Sequence, residues 1–197
     1  VTPVVIPAKG KTPELVFDKD ESIRYEVDAA AMGKLRPVFK DDGVVTAGNS
    51  CGMTDGAAFM VAMSREEAAR RGRTPLFSVV GYTQTAVDGR FMGEGPGVAI
   101  PRVLERTGLK LADMDLIEVN EAFAAQILAN QQVLEWDPEK LNIHVGAIAL
   151  GHPTGCSGAR LLVTLYHALK RTDGELGIAS ICGGGGSTMA MIIRRES

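Results

Sequence analysis

The sequence predicts an α/β fold: a mixed β-sheet with helices on both faces. Three observations predict it. Apolar runs of strand length alternate with helical stretches from Pro75 onward. The last two runs, 178–181 and 188–193, are separated only by a glycine-rich turn. They read as a terminal β-hairpin, so the sheet is not purely parallel. With 197 residues, 45% of them hydrophobic and 23% charged, the chain can bury one ordinary globular core. Residues 1–27 read as a leading strand and loop, and 28–197 as the α/β domain.

The elements follow in order. Val4 to Ile6, edged by prolines, reads as a strand at a sheet margin. Residues 8–22 are polar and read as a surface loop. Asp28 suits the cap of a helix running to Leu35, which Pro37 stops. Gly48 to Gly56 is rich in turn residues, and the apolar run Ala57 to Met63 has strand length. Ser64 with Glu67 forms a capping box for a helix ending near Gly72. Pro75 to Ala86 reads as a long strand. Gly93 to Gly97 opens a helix that Gly108 closes, with Pro101 expected in its first turn. Asp115 to Val119 is a strand that delivers Asn120 to the start of a helix through Glu135. Phe123, Ile127 and Val133 are expected to share that helix's apolar face. Gly146 to Leu150 is short and apolar. Thr154 to Leu169 is a helix with Leu161, Leu162, Leu165 and Leu169 at helical spacing.

Several function classes fall away. The formal net charge is −3 and no basic patch is evident, so nucleic acid is not an expected partner. No apolar stretch approaches the roughly 20 residues of a membrane span. Three widely spaced cysteines do not make a disulfide framework, which favours a reducing, cytoplasmic compartment. Because the first residue is Val1, a lost organellar leader stays open. His144, His152 and His167 lack metal-ligand spacing, and no Lys-Ser/Thr follows the glycine runs as in a phosphate loop. Neither a metal nor a bound redox cofactor is expected.

Two segments carry the chemistry. Gly151-His152-Pro153 sets an imidazole on a turn before a helix, where a helix N-terminus keeps it neutral. Cys182 ends an apolar run beside Gly183 to Gly186, whose N–H groups are suited to an oxyanion. Asn120 sits at the carboxyl end of a strand, where open α/β sheets bind ligands. Each has a plainer alternative: a turn histidine, a buried unreactive thiol, and a helix-capping asparagine.

Together these segments resemble the thiolase family. Asn120-Glu121-Ala122-Phe123-Ala124 is similar to its Asn-Glu-Ala-Phe motif. Gly151-His152-Pro153 is similar to its Gly-His-Pro motif, and Cys182 through Gly186 to its Cys-x-Gly-Gly-Gly loop. Gly48 to Gly52 with Asp55-Gly56-Ala57, and Met92-Gly93-x-Gly95-Pro96, fit in the same order. The resemblance implies the second half of a thiolase, making or cleaving a 3-oxoacyl-CoA, with the nucleophilic cysteine on a first half. It assigns acid/base work to Cys182 and His152, a bound water to Asn120, and an oxyanion contact to Gly184. Arg24, Cys51, Met92 and Phe123 fall to the coenzyme A site.

Departures are also visible. Val145 stands where the family has glycine, Cys51 where it has serine, and Gly183 where it has a bulkier residue. They keep a second reading open, an acyl-CoA-binding or structural subunit without turnover. The expected partners are an acyl-CoA, a first-half polypeptide, and further copies in a homo- or hetero-oligomer.

Overall fold

The computed structural model describes residues 2–196. Val1 and Ser197, the outer ends of the two expected segments, lie outside the described residues.

The main sheet has four strands: β3 (Phe77–Ala86), β4 (Leu116–Val119), β5 (Leu176–Cys182) and β6 (Ser187–Arg195). Their order is β3-β6-β5-β4. Strands β4 and β5 run parallel, and β6 is antiparallel to both β5 and β3. The terminal hairpin and the mixed sheet are thus as the sequence predicts. The parallel pair needs a crossover, which the chain from residue 120 to 175 supplies.

Helices cover both faces because strand side chains alternate. Ile117, Val119, Ile178 and Ile192 point to one face and pack on Ile100 and Val103 of α3 (Gly95–Thr107). Leu116, Ala179 and Ile193 point to the other and meet Leu161, Leu165 and Leu169 of α6 (Ser157–Thr172). Ile100, Ile178, Ile192, Leu165 and Leu169 are wholly buried. Each contributes about 1.5–3 kcal/mol of transfer free energy. These two layers hold the ends of β4, β5 and α6 rigidly together, and the candidate site is built on those ends.

Several local expectations fail, each for a packing reason. Residues 8–22 contain a strand, β2 (Leu15–Phe17), which pairs antiparallel with β1 (Val4–Ile6) in a separate two-stranded sheet. The helix capped by Asp28 is only α1 (Ala29–Met32), ending at Gly33 rather than Leu35. The apolar run 57–63 forms no strand, and Phe59 and Val61 are 90% and 87% exposed. A strand requires a neighbour, and among the described residues that run has none. Helix α2 (Arg65–Arg70) keeps its Ser64 cap on the Glu67 N–H.

Pro101 lies inside α3, beyond its first turn, with its ring on the exposed side. The expected apolar face of α4 (Ala124–Leu134) holds only in part: Ile127 packs against the core, but Val133 does not. Val133 is 68% exposed, and the residues α4 buries are Gln126 and Asn130. Asn130 Oδ1 accepts from the Gly97 N–H at 2.7 Å, and its Nδ2 donates to Gly93 O and Gln126 O. Gln126 Oε1 accepts from the Ala122 N–H. Helix α4 therefore docks on the start of α3 through paired amides, which hydropathy counts as surface. No helix among the described residues is long and apolar enough to cross a membrane.

Candidate functional site

The site forms where two chain turns are stitched together by one extended segment, residues 49–53. Along one side the segment meets the turn after β4. The Ala124 N–H donates to Asn49 O at 2.9 Å, and the Cys51 N–H donates to Ala122 O at 3.1 Å. Along the other side the His152 N–H donates to Gly52 O at 2.7 Å, and Met53 bridges His152 in parallel. The segment thus binds the Asn120–Ala124 turn to the Gly151–Pro153 turn.

That second turn depends on Gly151, whose φ of +89° disfavours a side chain. A Cβ there would also overlap the Thr54 side chain. Ahead of it, α5 (Ala147–Leu150) is held by Glu121: its carboxylate accepts from the Ile148 N–H at 3.1 Å and from Asn142 Nδ2 at 2.8 Å. Gly146 leaves room for that carboxylate, which a Cβ would strike. Glu121, a neighbour of Asn120 in sequence, thus acts as the cap of a helix 26 residues away in the chain, from Glu121 to Ala147.

His152 is half-buried, with Nδ1 2.6 Å from Ser157 Oγ. The Ser157 hydroxyl donates its proton to Pro153 O, so Nδ1–H is the donor to Oγ and Nε2 keeps its lone pair. Burial first, then the charge of Arg160, hold the imidazole below its ordinary pKa. At neutral pH it is a neutral base.

Asn120 is 1% exposed at the carboxyl end of β4, and its N–H donates to Ser180 O. Glu118 lies two residues back on the same strand face, also 1% exposed. Both meet Arg160 of α6. Arg160 Nη2 donates to Asn120 Oδ1 at 3.5 Å, and Nη1 stands 3.9 Å from Glu118 Oε2, an ion contact longer than a hydrogen bond. Burial lifts the Glu118 carboxyl to about 7, against the opposing pull of Arg160.

Cys182 ends β5 opposite Thr188 and is 4% exposed. Burial raises its pKa, a backbone hydrogen bond opposes this, and the Cys51 thiol adds to the rise. It is therefore a protonated thiol at neutral pH. The Cys51 thiol is raised as well, by burial first and by Glu121 further. The Asn120 N–H bond to Ser180 O ties the turn after β4 to β5 two residues before Cys182. After Cys182 the chain turns through Gly184–Gly186, with Gly184 exposed and open space beside it.

The coenzyme A candidates are distributed around this centre. Arg24 is exposed on a cavity of about 360 Å³ whose far wall is Ile148 and Ala149, just ahead of His152. Phe123 packs edge-on against Phe39, ring centroids 5.6 Å apart, and Ser50 bridges it. Met92 stands in the turn Gly89–Glu94, which packs on the Gly184–Gly186 turn. A larger recess of about 560 Å³ beside α3 is shallow and open, lies away from these groups, and lacks such a cluster. Sequence reasoning missed Glu118, Ser157 and Arg160. Arg160 and Ser157 share one helix turn after the histidine, which is the signal that was available.

Residues 73–195 match the family model "Thiolase, C-terminal domain", and residues 1–66 match "Thiolase, N-terminal domain". The leading residues therefore carry N-terminal-domain sequence. An acetyl-CoA acetyltransferase of Escherichia coli is 49% identical over 99% of this chain and 49% of its own length. One from Paracoccus denitrificans is 45% identical, with the same coverage of each. The crystal structure of the Bacillus anthracis acetyl-CoA acetyltransferase superposes with a TM-score of 0.92 at 46% identity, over 100% of this chain and 49% of that one. Human mitochondrial 3-ketoacyl-CoA thiolase in complex with CoA gives 0.85 at 42% identity, over 92% and 46%. The chain spans about half the length of the curated relatives it matches. By its motifs, its fold and the match of most of its length, this chain belongs to the thiolase family.

Proposed function

We propose that the chain supplies one wall of the active site of a CoA-dependent acyltransferase that makes or cleaves 3-oxoacyl-CoA by Claisen-type chemistry. The observation that carries this reading is the joining of the Asn120–Ala124 turn to the Gly151–Pro153 turn by residues 49–53, with Asn120 bonded to Ser180 of β5, the strand that ends in Cys182. In cleavage, a nucleophilic thiol outside this chain attacks the 3-oxo carbon and the C2–C3 bond breaks. The acyl group stays on that thiol as a thioester, and the electron pair leaves on the thioester enolate. Cys182, arriving protonated, gives its proton to C2 and releases acetyl-CoA. Nε2 of His152 takes the proton of the attacking enzyme thiol. In the second half the coenzyme A thiol gives its proton to the Cys182 thiolate, its sulfur takes the acyl group as acyl-CoA, and the released enzyme thiolate recovers its proton from His152. Asn120 holds a water that, with His152, steadies the enolate oxygen, and the Gly184 N–H serves the second oxyanion; one such donor is worth about 3 kcal/mol. The cavity between Arg24 and Ile148 is suited to the pantetheine and nucleotide of coenzyme A.

On this reading the chain by itself does not turn over. Adding a polypeptide that carries the remainder of a thiolase should give CoA-dependent cleavage of a short 3-oxoacyl-CoA. His152→Ala and Cys182→Ala should each abolish it, and full activity in both would end the proposal. One observation favours the second reading, a binding subunit without turnover: Val145, beside the site, holds a left-handed backbone that a β-branched residue rarely adopts. Binding of acyl-CoA with no turnover in the assembled protein would select it.

A further inference from the structure

Three buried polar atoms at the site have no hydrogen-bond partner among the described residues: Asn120 Nδ2, Arg160 Nη1 and Glu118 Oε2. They belong to one cluster. Glu118 and Asn120 come from β4, and Arg160 from the first turn of α6, with its side chain 17% exposed. The other titratable groups facing the cluster are Glu121 from the turn after β4, and His152, on which Arg160 acts through its charge. Cys51 faces Glu121 and Cys182 from the 49–53 segment.

The chemistry of the guanidinium decides the orientation of the amide. Arginine has only donors, so the end of Asn120 facing it must be the oxygen. The nitrogen, with its two protons, then faces away from Arg160. Without this contact, the two ends of the amide differ little in shape and either could be presented. Glu118 stands beside the pair with Oε2 3.9 Å from Nη1, and its ionised form attracts the guanidinium into the interior.

We propose that Arg160, held beside Glu118, is a positioning residue that turns the Asn120 amide nitrogen toward the site. The inference rests on the reading of Asn120 as a reactive group.

NMR on the 197-residue chain, without turnover, tests it. The readout is the pair of side-chain amide resonances of Asn120. In Arg160→Gln, which offers an acceptor as well as a donor, the pair should move as both ends of the amide are presented. In Arg160→Lys, which keeps only donors, the pair should stay near its original position. A merely structural arginine would lower the melting temperature in both variants and leave the pair in place. An unmoved pair in Arg160→Gln overturns the proposal. If that variant does not fold, a pair displaced in Arg160→Lys overturns it alone. Neither result touches the acyl-transfer assay, so the two readings fail separately.

Discussion

The imidazole of His152 and the hydroxyl of Ser157 stand 2.6 Å apart across the turn that opens α6, and Ser157 is wholly buried. The serine does not touch substrate in the proposed reaction. Its hydroxyl selects the tautomer that leaves Nε2 with a lone pair. Ser157→Ala should therefore lower acyl transfer in the assembled enzyme about tenfold, equal to about 1.4 kcal/mol. The fold should lose only about 1 kcal/mol. Rate measurements beside urea titration check the split; equal rates in both proteins would remove Ser157 from the mechanism.

Val145 carries φ +59° and is half-exposed, so little packing holds its side chain. Val145→Gly should relieve left-handed strain and stabilise the chain by about 1 kcal/mol, although glycine usually destabilises. A rise in the urea midpoint tests this, and a fall contradicts it.

Glu118 gives a pH dependence with a definite sign. Its folded pKa, about 7, lies above its ordinary value of 4.5, so the fold binds the proton more tightly than the unfolded chain. Stability is fully present below 4.5 and declines as pH rises toward 7, by on the order of 3 kcal/mol at about 1.4 kcal/mol per unit. Glu118→Gln should flatten that slope. Urea unfolding at pH 5 and pH 8 measures it, and parallel slopes for the two proteins would refute the assignment.

Cys182 and Cys51 are raised thiols, chiefly through burial. Their contribution is complete below the ordinary thiol range near 8.5 and is lost as pH climbs above it. Alkylation of Cys182 by iodoacetamide should therefore be slow at pH 7 and accelerate only above that range. Rapid modification at neutral pH would show a thiolate and exclude Cys182 as proton donor.

The bare run 57–63 exposes Phe59 and Val61 almost completely. We expect it to be covered by another polypeptide, as a large apolar patch usually is. Phe59→Ser with Val61→Ser should leave folding stability within about 0.5 kcal/mol and weaken association. Sedimentation shows the outcome; a clean monomer before mutation would contradict the expected association.

Much of the fold was legible because it follows local rules. The Ser64 cap, the close of α3 at Gly108 and the terminal hairpin each depend on residues a few positions apart. The misreadings share one cause. Run 57–63 has strand chemistry without a neighbour, and Gln126 and Asn130 are polar side chains buried by remote backbone partners. Hydropathy records neither relation.

By itself the sequence determined the family, the order of its motifs and the residue types able to move protons or bind an oxyanion, since these depend on which groups occur and in what spacing. Only the tertiary structure decided that Glu121 caps α5, that Ser157 sets the His152 tautomer, and that Arg160 joins Asn120 to Glu118. Those bonds are made in space, some between residues 27 and 40 positions apart, and they form only once the sheet and α6 bring the two ends together.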